Sequence, residues 1–245
     1  MFTIAAVNLS KLMVMFIVAL TGGLYVKYRG VRVNYTRKIN HFALFFIPSL
    51  FDKFFIVHDS PYTWIGELIF FLGSFAVFLK PVRSRIPIIA TAFSSFDRPE
   101  DRPYTLLWYV MQEITGYLVV MPAITIYEKY NILALLSIPI LVSVFGDGLA
   151  EPIGIKFGKH KYHVNALFVN RKYVRSIEGS SIVFISSILV VAFFHPFFTS
   201  IQYLIAMLVL PIAMTLAEAY SPHTFDNPLI CFVGFTLVFL IKQFV

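Results

Sequence analysis

The chain has 245 residues, of which 58% are hydrophobic and 13% are charged, and its mean hydropathy is +0.79. Because soluble domains are about half apolar and about one quarter charged, this composition excludes an ordinary soluble domain and indicates an integral membrane protein. The net charge of +7 does not indicate a nucleic-acid partner, since the basic residues lie in short connections between apolar segments. With Cys231 as the lone cysteine, a disulfide framework is also excluded.

The apolar segments predict an all-α fold, a multi-span helical bundle of about eight transmembrane helices that forms one polytopic domain over residues 1–245. The second segment is the weakest, because Asp52 and Lys53 fall inside it. The run 86–96 is too short to cross a bilayer and is expected to be re-entrant or interfacial. In chain order, the predicted spans are residues 4–26, 39–57, 62–80, 104–126, 131–149, 179–195, 199–219 and 227–244.

Basic residues are concentrated in alternate connections between these spans. Sixteen of the 20 Lys and Arg residues lie in connections 27–38, 80–103 and 150–178, whereas the opposite connections contain only Lys53 and Lys129. The positive-inside rule therefore predicts that the three basic connections are cytosolic and that both termini lie on the non-cytosolic side. Such a multi-pass protein fits the plasma membrane of a prokaryote or an endomembrane of a eukaryote.

The first polar motif begins the second predicted span and contains Arg37, Lys38 and His41. Because Arg37 and His41 are four residues apart, they share one face of a helix. A histidine at this position could accept a proton from an alcohol, since its charge changes near neutral pH. The alternative is that the cations anchor the span at the interface and His41 forms a hydrogen bond inside the bundle.

The second motif, GDGLAEPIG at 146–154, follows the fifth predicted span. If the helix continues through it, Asp147 and Glu151 lie one turn apart on the same face. Such a pair suits Mg²⁺, which binds one or two carboxylates together with substrate phosphates. The alternative is a capped helix end with a solvated acidic pair. Glycines that permit close approach and basic residues that could contact phosphates accompany the pair, namely Gly146, Gly148, Gly154, Lys156, Gly158 and Lys159.

Neither of two standard nucleotide-binding motifs is present in this region. The string GIKFGK at 154–159 has three residues between its glycines, where a P-loop has four. The string GDGLAE lacks the last glycine of a dinucleotide fingerprint. The soluble nucleotide-binding folds are therefore not supported.

Two further polar groups lie at the ends of later spans. Arg175 could bind phosphate and Glu178 could bind a metal or a substrate hydroxyl, or else Arg175 anchors the chain at the interface and Ser180 caps the sixth span. Asp226, followed by Asn227 and Pro228, is typical of an Asx turn that caps the last helix. Glu218 ends an apolar span, where ionisable groups are costly and usually functional.

The order and spacing of four motifs resemble the polyprenol kinase family, which includes dolichol, phytol and farnesol kinases and the CTP-dependent diacylglycerol kinase. The chain is similar more distantly to the phosphatidate cytidylyltransferases. The resemblance implies a multi-span helical membrane enzyme that phosphorylates a lipid alcohol, commonly from CTP. The motifs are RKINH at 37–41, GDGLAEPIGIKFGK at 146–159, RSIEGS at 175–180 and EAYSPHTFDNP at 218–228.

The resemblance matches residues of this sequence to four motifs of the family. Arg175 stands where the family usually has Lys, and His223 is inserted in the acidic last motif, so the substrate is left open. The matching residues are Arg37, Lys38 and His41 of the basic-His motif; Gly146, Asp147, Gly148, Gly154, Gly158 and Lys159 of the Gly-Asp motif; Arg175, Ser176, Glu178, Gly179 and Ser180 of the third motif; and Glu218, Asp226 and Asn227 of the last.

The resulting hypothesis is transfer of the γ-phosphate of a nucleoside triphosphate, with CTP preferred, to a membrane-embedded isoprenoid or similar alcohol. Mg²⁺ would be held by Asp147 with Glu151, Glu218 or Asp226, while Lys156, Lys159 and Arg175 would neutralise phosphate charge and His41 or Glu178 would position or deprotonate the alcohol. The first alternative is cytidylyl transfer to a lipid phosphate. The second is a non-catalytic transporter with Glu67 and Glu113 along its path. The chain could also associate as a homo-oligomer among membrane lipids.

Overall fold

The computed structural model describes residues 4–54 and 63–245, which are predominantly helical. Their contacts divide the chain into two compact units, one ending at Met111 and the other beginning at Gln112. The expectation of one continuous domain stays a prediction. The helices of the first unit are α1 (Ile4–Arg29), α2 (Val33–Phe54), α3 (Thr63–Ser74), α4 (Lys80–Arg83) and α5 (Pro87–Phe93). Helix α6 (Thr105–Lys129) contains the boundary, and the second unit continues with α7 (Ser137–Val142), α8 (Gly148–Phe157), β1 (Lys161–Asn165), β2 (Lys172–Ser176), α9 (Ile177–Phe193), α10 (Ser200–Tyr220) and α11 (Asp226–Phe244).

In the first unit, α1 packs against α2 and α5. The contact with α5 is very close at Gly23, where a Cβ atom would lie 1.8 Å from the carbonyl oxygen of Thr91. The end of α5 is tied to α2, because Thr36 Oγ1 donates to the Ser95 carbonyl at 2.6 Å. Ala92 and Phe93 of α5 lie in the small apolar core of this unit. The run 86–96, expected to be too short to cross a bilayer, forms the short helix α5 and the turn after it.

In the second unit, α10 packs against both α9 and α11, and α8 packs against α9. Helix α11 also approaches α7 closely, since a Cβ atom at Gly234 would lie 2.6 Å from Pro139 Cβ. Tyr127 of α6 donates its hydroxyl to the Phe235 carbonyl at 2.7 Å. The core of this unit contains fully buried aliphatic residues from four helices: Ile138, Val142, Val183, Val191, Leu210, Met214, Ile230 and Val238.

The helix that carries GDGLAEPIG does not end where the sequence predicted. Residues Leu133–Phe157 form one continuous apolar helical stretch of 25 residues, whereas the predicted span ended at residue 149. A π turn, Ser143–Asp147, joins α7 to α8 within it. Because the backbone stays helical from Asp147 onwards, Asp147 and Glu151 share one face of the helix, as predicted.

The predominantly helical structure is consistent with the predicted all-α fold, and the predicted cytosolic connection 150–178 adds an antiparallel hairpin to it. Strands β1 and β2 pair with Lys161 opposite Ser176 and Asn165 opposite Lys172. Alternation of buried and exposed residues, with aromatic and β-branched side chains such as Tyr162, Val164 and Tyr173, fits a half-buried pleated ribbon. The many Lys and Arg residues in the connection obscured this period-two pattern.

Five helices within residues 4–54 and 63–245 are long and apolar enough to cross a membrane. Helix α9 has 17 residues, a length of about 26 Å at 1.5 Å per residue, which is close to the bilayer core. Part of the predicted span 39–57 lies outside the described residues. The predicted span 62–80 is interrupted, because α3 ends at Ser74 and a 3₁₀ turn follows. The number of eight spans and the non-cytosolic termini therefore stay predictions.

Candidate functional site

The second unit brings predicted site residues from five helices and strands to one cluster. Asp147 lies at the start of α8, Arg175 lies on β2, and Ser180 lies in the first turn of α9. Glu218 ends α10 and Asp226 begins α11. Asp147 and Glu218 are 6% and 4% exposed, so ionisable groups are concentrated in a buried region at the ends of apolar helices.

Arg175 is the centre of this cluster. Its side chain is 12% exposed, and its guanidinium lies 3.4 Å from Glu218 Oε1 and 3.2 Å from Asp226 Oδ2. The guanidinium nitrogen nearest to Glu218, Nη1, also donates to the backbone carbonyl of Glu218 and, at 3.0 Å, to Ser221 Oγ. Arg175 therefore joins the hairpin to the turn between α10 and α11.

The charges around Arg175 keep it protonated. Burial lowers the pKa of the guanidinium, but the negative charges of Asp226 and Glu218 outweigh burial, so that the pKa is raised overall. Asp147 contributes to the same effect and is therefore an electrostatic neighbour of Arg175. The cluster combines one permanent cation with three carboxyl groups.

Tyr162, which the sequence reasoning missed, lies opposite Arg175 in the hairpin. Its hydroxyl is 2.6 Å from Ser180 Oγ, and Ser180 Oγ donates to Glu218 Oε2 at 2.7 Å. Because a serine hydroxyl has one proton, Tyr162 is the donor to Ser180. Burial, and then the nearby Glu218 carboxylate, raise the pKa of Tyr162, so this phenol keeps its proton. Only the pairing of β1 with β2 could have revealed this residue.

The first turn of α9 is capped by Ser176 rather than by Ser180. Ser176 Oγ accepts a hydrogen bond from the Gly179 amide at 3.1 Å, as an N-cap residue does. The expectation that Ser180 caps the helix was wrong, because the side chain of Ser180 is turned to Glu218 instead. Both serines are buried and bonded within the protein.

Glu178, also in the first turn of α9, pairs with His160. Its Oε1 atom is 2.8 Å from His160 Nδ1 and accepts from the His160 backbone amide at 3.2 Å. The backbone amide of Glu178 itself and the His160 side chain are the main causes that lower the pKa of Glu178 to about 2. A carboxylate with so low a pKa is a weak base near neutral pH.

This pairing predicts how the protein responds to acid. Because the pKa of Glu178 is lower in the folded state than its ordinary value of 4.5, its contribution to stability is present above that value and is lost as the pH falls towards 2. Thermal unfolding of the wild type and of Glu178→Gln in detergent should therefore differ at pH 6 and converge as the pH approaches 2. A difference in melting temperature that is independent of pH would contradict this.

The glycines of the motifs contact other parts of the protein. A Cβ atom at Gly146 would lie 3.1 Å from Val183 Cα, one at Gly154 would lie 2.8 Å from Ser176 Oγ, and one at Gly158 would lie 2.7 Å from the same Ser176 Oγ. These glycines let α8 lie directly against the start of α9. These distances describe the close approach of another part of the chain, which is one of the two roles expected for these glycines. Contact of Gly146, Gly148 or Gly154 with phosphates stays a prediction.

Gly179 provides a test of this close packing. A Cβ atom there would lie 2.8 Å from the Ala150 carbonyl oxygen, whereas a Cβ atom at Gly116 would meet nothing within 4 Å. We expect Gly179→Ala to lower the free energy of unfolding by about 1–3 kcal/mol, as overpacking does. Gly116→Ala should leave stability unchanged or raise it by up to about 1 kcal/mol through helix propensity. Differential scanning fluorimetry of both variants measures the contrast, and equal shifts would contradict the packing argument.

The other predicted site residues of the second unit differ from one another in how exposed their side chains are. Lys156 and Lys159 are exposed, and Lys156 Nζ lies 5.1 Å from the centre of the Phe157 ring. Glu151 is half-buried. Asn227 Oδ1 accepts from Ser143 Oγ at 2.6 Å, which ties α11 to the π turn.

The expected Asx cap of the last helix is not formed as predicted. Asp226 is the first residue of α11, and its Oδ1 atom accepts from the Asn227 amide at 3.1 Å. The residue before it, Phe225, occupies the N-cap position, where no side chain caps the helix. The other carboxylate oxygen of Asp226 faces Arg175, so pairing with this cation takes precedence over capping.

The four carboxylates predicted as metal ligands fall into two pairs. Glu218 and Asp226 pair with Arg175, whereas Asp147 and Glu151 share a face of α8. In the described part of the chain, no three His, Cys, Asp or Glu residues form a group that could hold a metal ion. The pair Asp147 and Glu151 fits Mg²⁺ that is bound through one or two carboxylates and substrate phosphates. A site in which all four carboxylates bind one Mg²⁺ does not fit this arrangement.

The basic-His motif lies in the first unit. Arg37 and His41 are one turn apart in α2, as predicted, and Lys38 is 3% exposed. The His41 ring makes edge contacts with the rings of Phe42 and Phe45, whose centres are 5.8 Å and 5.1 Å away. A role for these residues in the candidate site stays a prediction.

Comparison of the chain with protein-family models, with curated proteins and with solved structures gave no match.

Proposed function

We propose that the chain is a multi-pass membrane phosphotransferase that transfers the γ-phosphate of a nucleoside triphosphate, with CTP preferred, to the hydroxyl of an isoprenoid or similar lipid alcohol at the cytosolic face. The observation that carries the proposal is the buried cluster of Arg175 with Glu218, Asp226 and Asp147 at the ends of apolar helices. Buried ionisable groups in such positions are costly and are usually retained for function.

The chemistry of the cluster suits phosphoryl transfer, which depends mainly on positioning and on electrostatic stabilisation. Arg175 supplies a fixed positive charge, and the Glu218 and Asp226 carboxylates hold its guanidinium in place. Asp147 and Glu151 would hold Mg²⁺, which neutralises charge on the phosphates. Lys156 and Lys159 are exposed and would contact phosphate oxygens from the aqueous side.

In the proposed reaction, the alcohol oxygen forms a bond to the γ-phosphorus, and the bond between that phosphorus and the oxygen bridging to the β-phosphate breaks. The nucleoside diphosphate leaves, and the alcohol proton passes to a base. The pKa of about 2 at Glu178 argues against this carboxylate as the base. We therefore assign Glu178 to holding the start of α9 through its pair with His160, and proton acceptance by His41 stays a prediction from the sequence.

The proposal is tested with the full chain in lipid vesicles, Mg²⁺ and CTP labelled in either the α- or the γ-phosphate. The acceptors are a panel of farnesol, phytol, long polyprenols and diacylglycerol, together with the corresponding lipid phosphates, and ATP serves as the alternative donor. Label from the γ-phosphate in a lipid product is the expected result. Label from the α-phosphate would establish cytidylyl transfer instead, and no labelled lipid with any acceptor would contradict both reactions.

A further inference from the structure

The outer face of the β1–β2 hairpin is a basic surface that the proposed reaction does not use. Lys161 and His163 on β1 and Lys172 on β2 are exposed, whereas Tyr162 and Arg175 on the opposite face contribute to the candidate site. No Asp or Glu occurs between Glu151 and Glu178. The hairpin is therefore positively charged along its exposed side, without acidic residues nearby in sequence.

The tip of the hairpin is ordered and apolar. It is closed by two backbone hydrogen bonds, from the Ala166 amide to the Arg171 carbonyl at 3.0 Å and from the Arg171 amide to the Val169 carbonyl at 2.8 Å. Leu167 and Phe168, between these bonds, are 47% and 61% exposed. Two large apolar side chains held at the end of a basic ribbon are costly to leave in water.

Contacts at the base of the tip place it beside the ends of two candidate spans. Asn165 accepts a hydrogen bond from the His223 amide at 2.9 Å, and the His223 ring stacks on Tyr173 with centres 3.5 Å apart. His223 lies in the short turn between α10, which ends at Tyr220, and α11. Since a residue in extended chain covers about 3.3 Å, Phe168 lies within roughly 10 Å of Asn165, which is hydrogen-bonded to this turn.

The end of α10 has the features of a membrane interface. Tyr220, its last residue, is 82% exposed, and tyrosine is enriched where spans leave the hydrocarbon core. With α10 crossing a bilayer, the apolar tip and the basic face would lie at the depth at which lipid phosphates and acyl chains meet.

We propose that the hairpin docks on the surface of an anionic lipid bilayer. Leu167 and Phe168 enter the boundary between headgroups and acyl chains, and Lys161, Arg171 and Lys172 face the lipid phosphates. A soluble polyphosphate would match the charge of this surface but would leave the apolar tip in water, which favours the bilayer. The inference depends on α10 and α11 crossing the membrane, as the proposed function requires, and not on phosphoryl transfer.

The experiment first removes the lone cysteine, so that a single new cysteine can be labelled. In a Cys231→Ala background, a polarity-sensitive fluorophore is attached to Phe168→Cys of the full chain in vesicles. Leu208→Cys, exposed midway along α10, is the control for deep lipid, and Glu128→Cys, exposed at the end of α6, is the control for water. Quenching is measured with aqueous iodide and with lipids that carry a quencher on the upper acyl chain, in anionic and in neutral vesicles.

We expect the label at 168 to be quenched by the lipid quencher in anionic vesicles and more weakly in neutral ones. Because each Lys or Arg near an anionic surface changes binding roughly five-fold, the double change Arg171→Gln and Lys172→Gln should lower the ratio of docked to undocked hairpin by roughly 25-fold. Quenching by iodide alone, or lipid quenching that is equal in neutral vesicles, would overturn the inference if Leu208→Cys reports lipid. Failure of Leu208→Cys to report lipid would overturn the membrane placement as well.

Discussion

Asp147→Asn should lower the rate of lipid phosphorylation by a factor of about 10²–10³, the size of effect seen when one electrostatic contact to a transition state is removed. The amide has nearly the same shape as the carboxylate but cannot supply the negative charge that would hold Mg²⁺. The measurement is the initial rate at saturating CTP, repeated over a range of Mg²⁺ concentrations. A rate that high Mg²⁺ partly restores would point to metal binding.

The change at Asp147 should cost little stability. Asp147 shares the cation Arg175 with two other carboxyl groups, Glu218 and Asp226, so removal of its charge relieves repulsion among the carboxylates while it weakens attraction to Arg175. The matched control is Glu128→Gln, which removes an exposed carboxylate and should retain full activity. An Asp147→Asn variant with the wild-type rate would show that the central assignment is wrong.

Arg175→Met should both inactivate and destabilise the protein. It leaves Glu218, 4% exposed, and Asp226 without their cation, and removal of one partner of a buried ion pair costs about 3–5 kcal/mol. Activity should fall by a factor of about 10²–10³, because the transition state loses a preorganised positive charge. Lys129→Met, exposed at the end of α6, is the control for loss of a positive charge and should change neither property appreciably.

A second variant separates the two consequences of losing Arg175. In Arg175→Met combined with Glu218→Gln, the uncompensated buried carboxylate is gone, so much of the lost stability should return. Activity should not return. Wild-type activity in the double variant would reduce Arg175 to a structural role, and wild-type stability in Arg175→Met alone would contradict the buried ion pair.

The positions of the last two helices could be predicted closely from the sequence. The apolar runs 199–219 and 227–244 correspond to α10 and α11 within one residue at each end, because apolar length is the direct requirement for crossing a bilayer. The continuation of the fifth segment to Phe157 could not be predicted so well. Glycines and Pro152 usually end helices in water, but here α9 packs directly against Gly146 and Gly154 and the helix persists through Pro152.

The members of the candidate site could be named from the sequence, but their partners could not. Arg175, Glu218 and Asp226 each stood out as a charge beside an apolar segment. One guanidinium contacts both carboxylates because α9 and α10 pack side by side, and a single sequence does not reveal this packing. Tyr162 gave no signal, because its place beside Ser180 follows from strand pairing between positions 13 residues apart, Tyr162 and Arg175.

The π turn at Ser143–Asp147 has a consequence for how such a sequence can change over time. A π turn holds one residue more than the α-helical turn it replaces, so the helix after it is rotated by about 100° relative to an uninterrupted helix. Removal of one residue from positions 143–146 would rotate Asp147 away from Arg175, although every charged group would still be present. Selection must therefore preserve the number of residues between the apolar stretch and the aspartate as strictly as the aspartate itself.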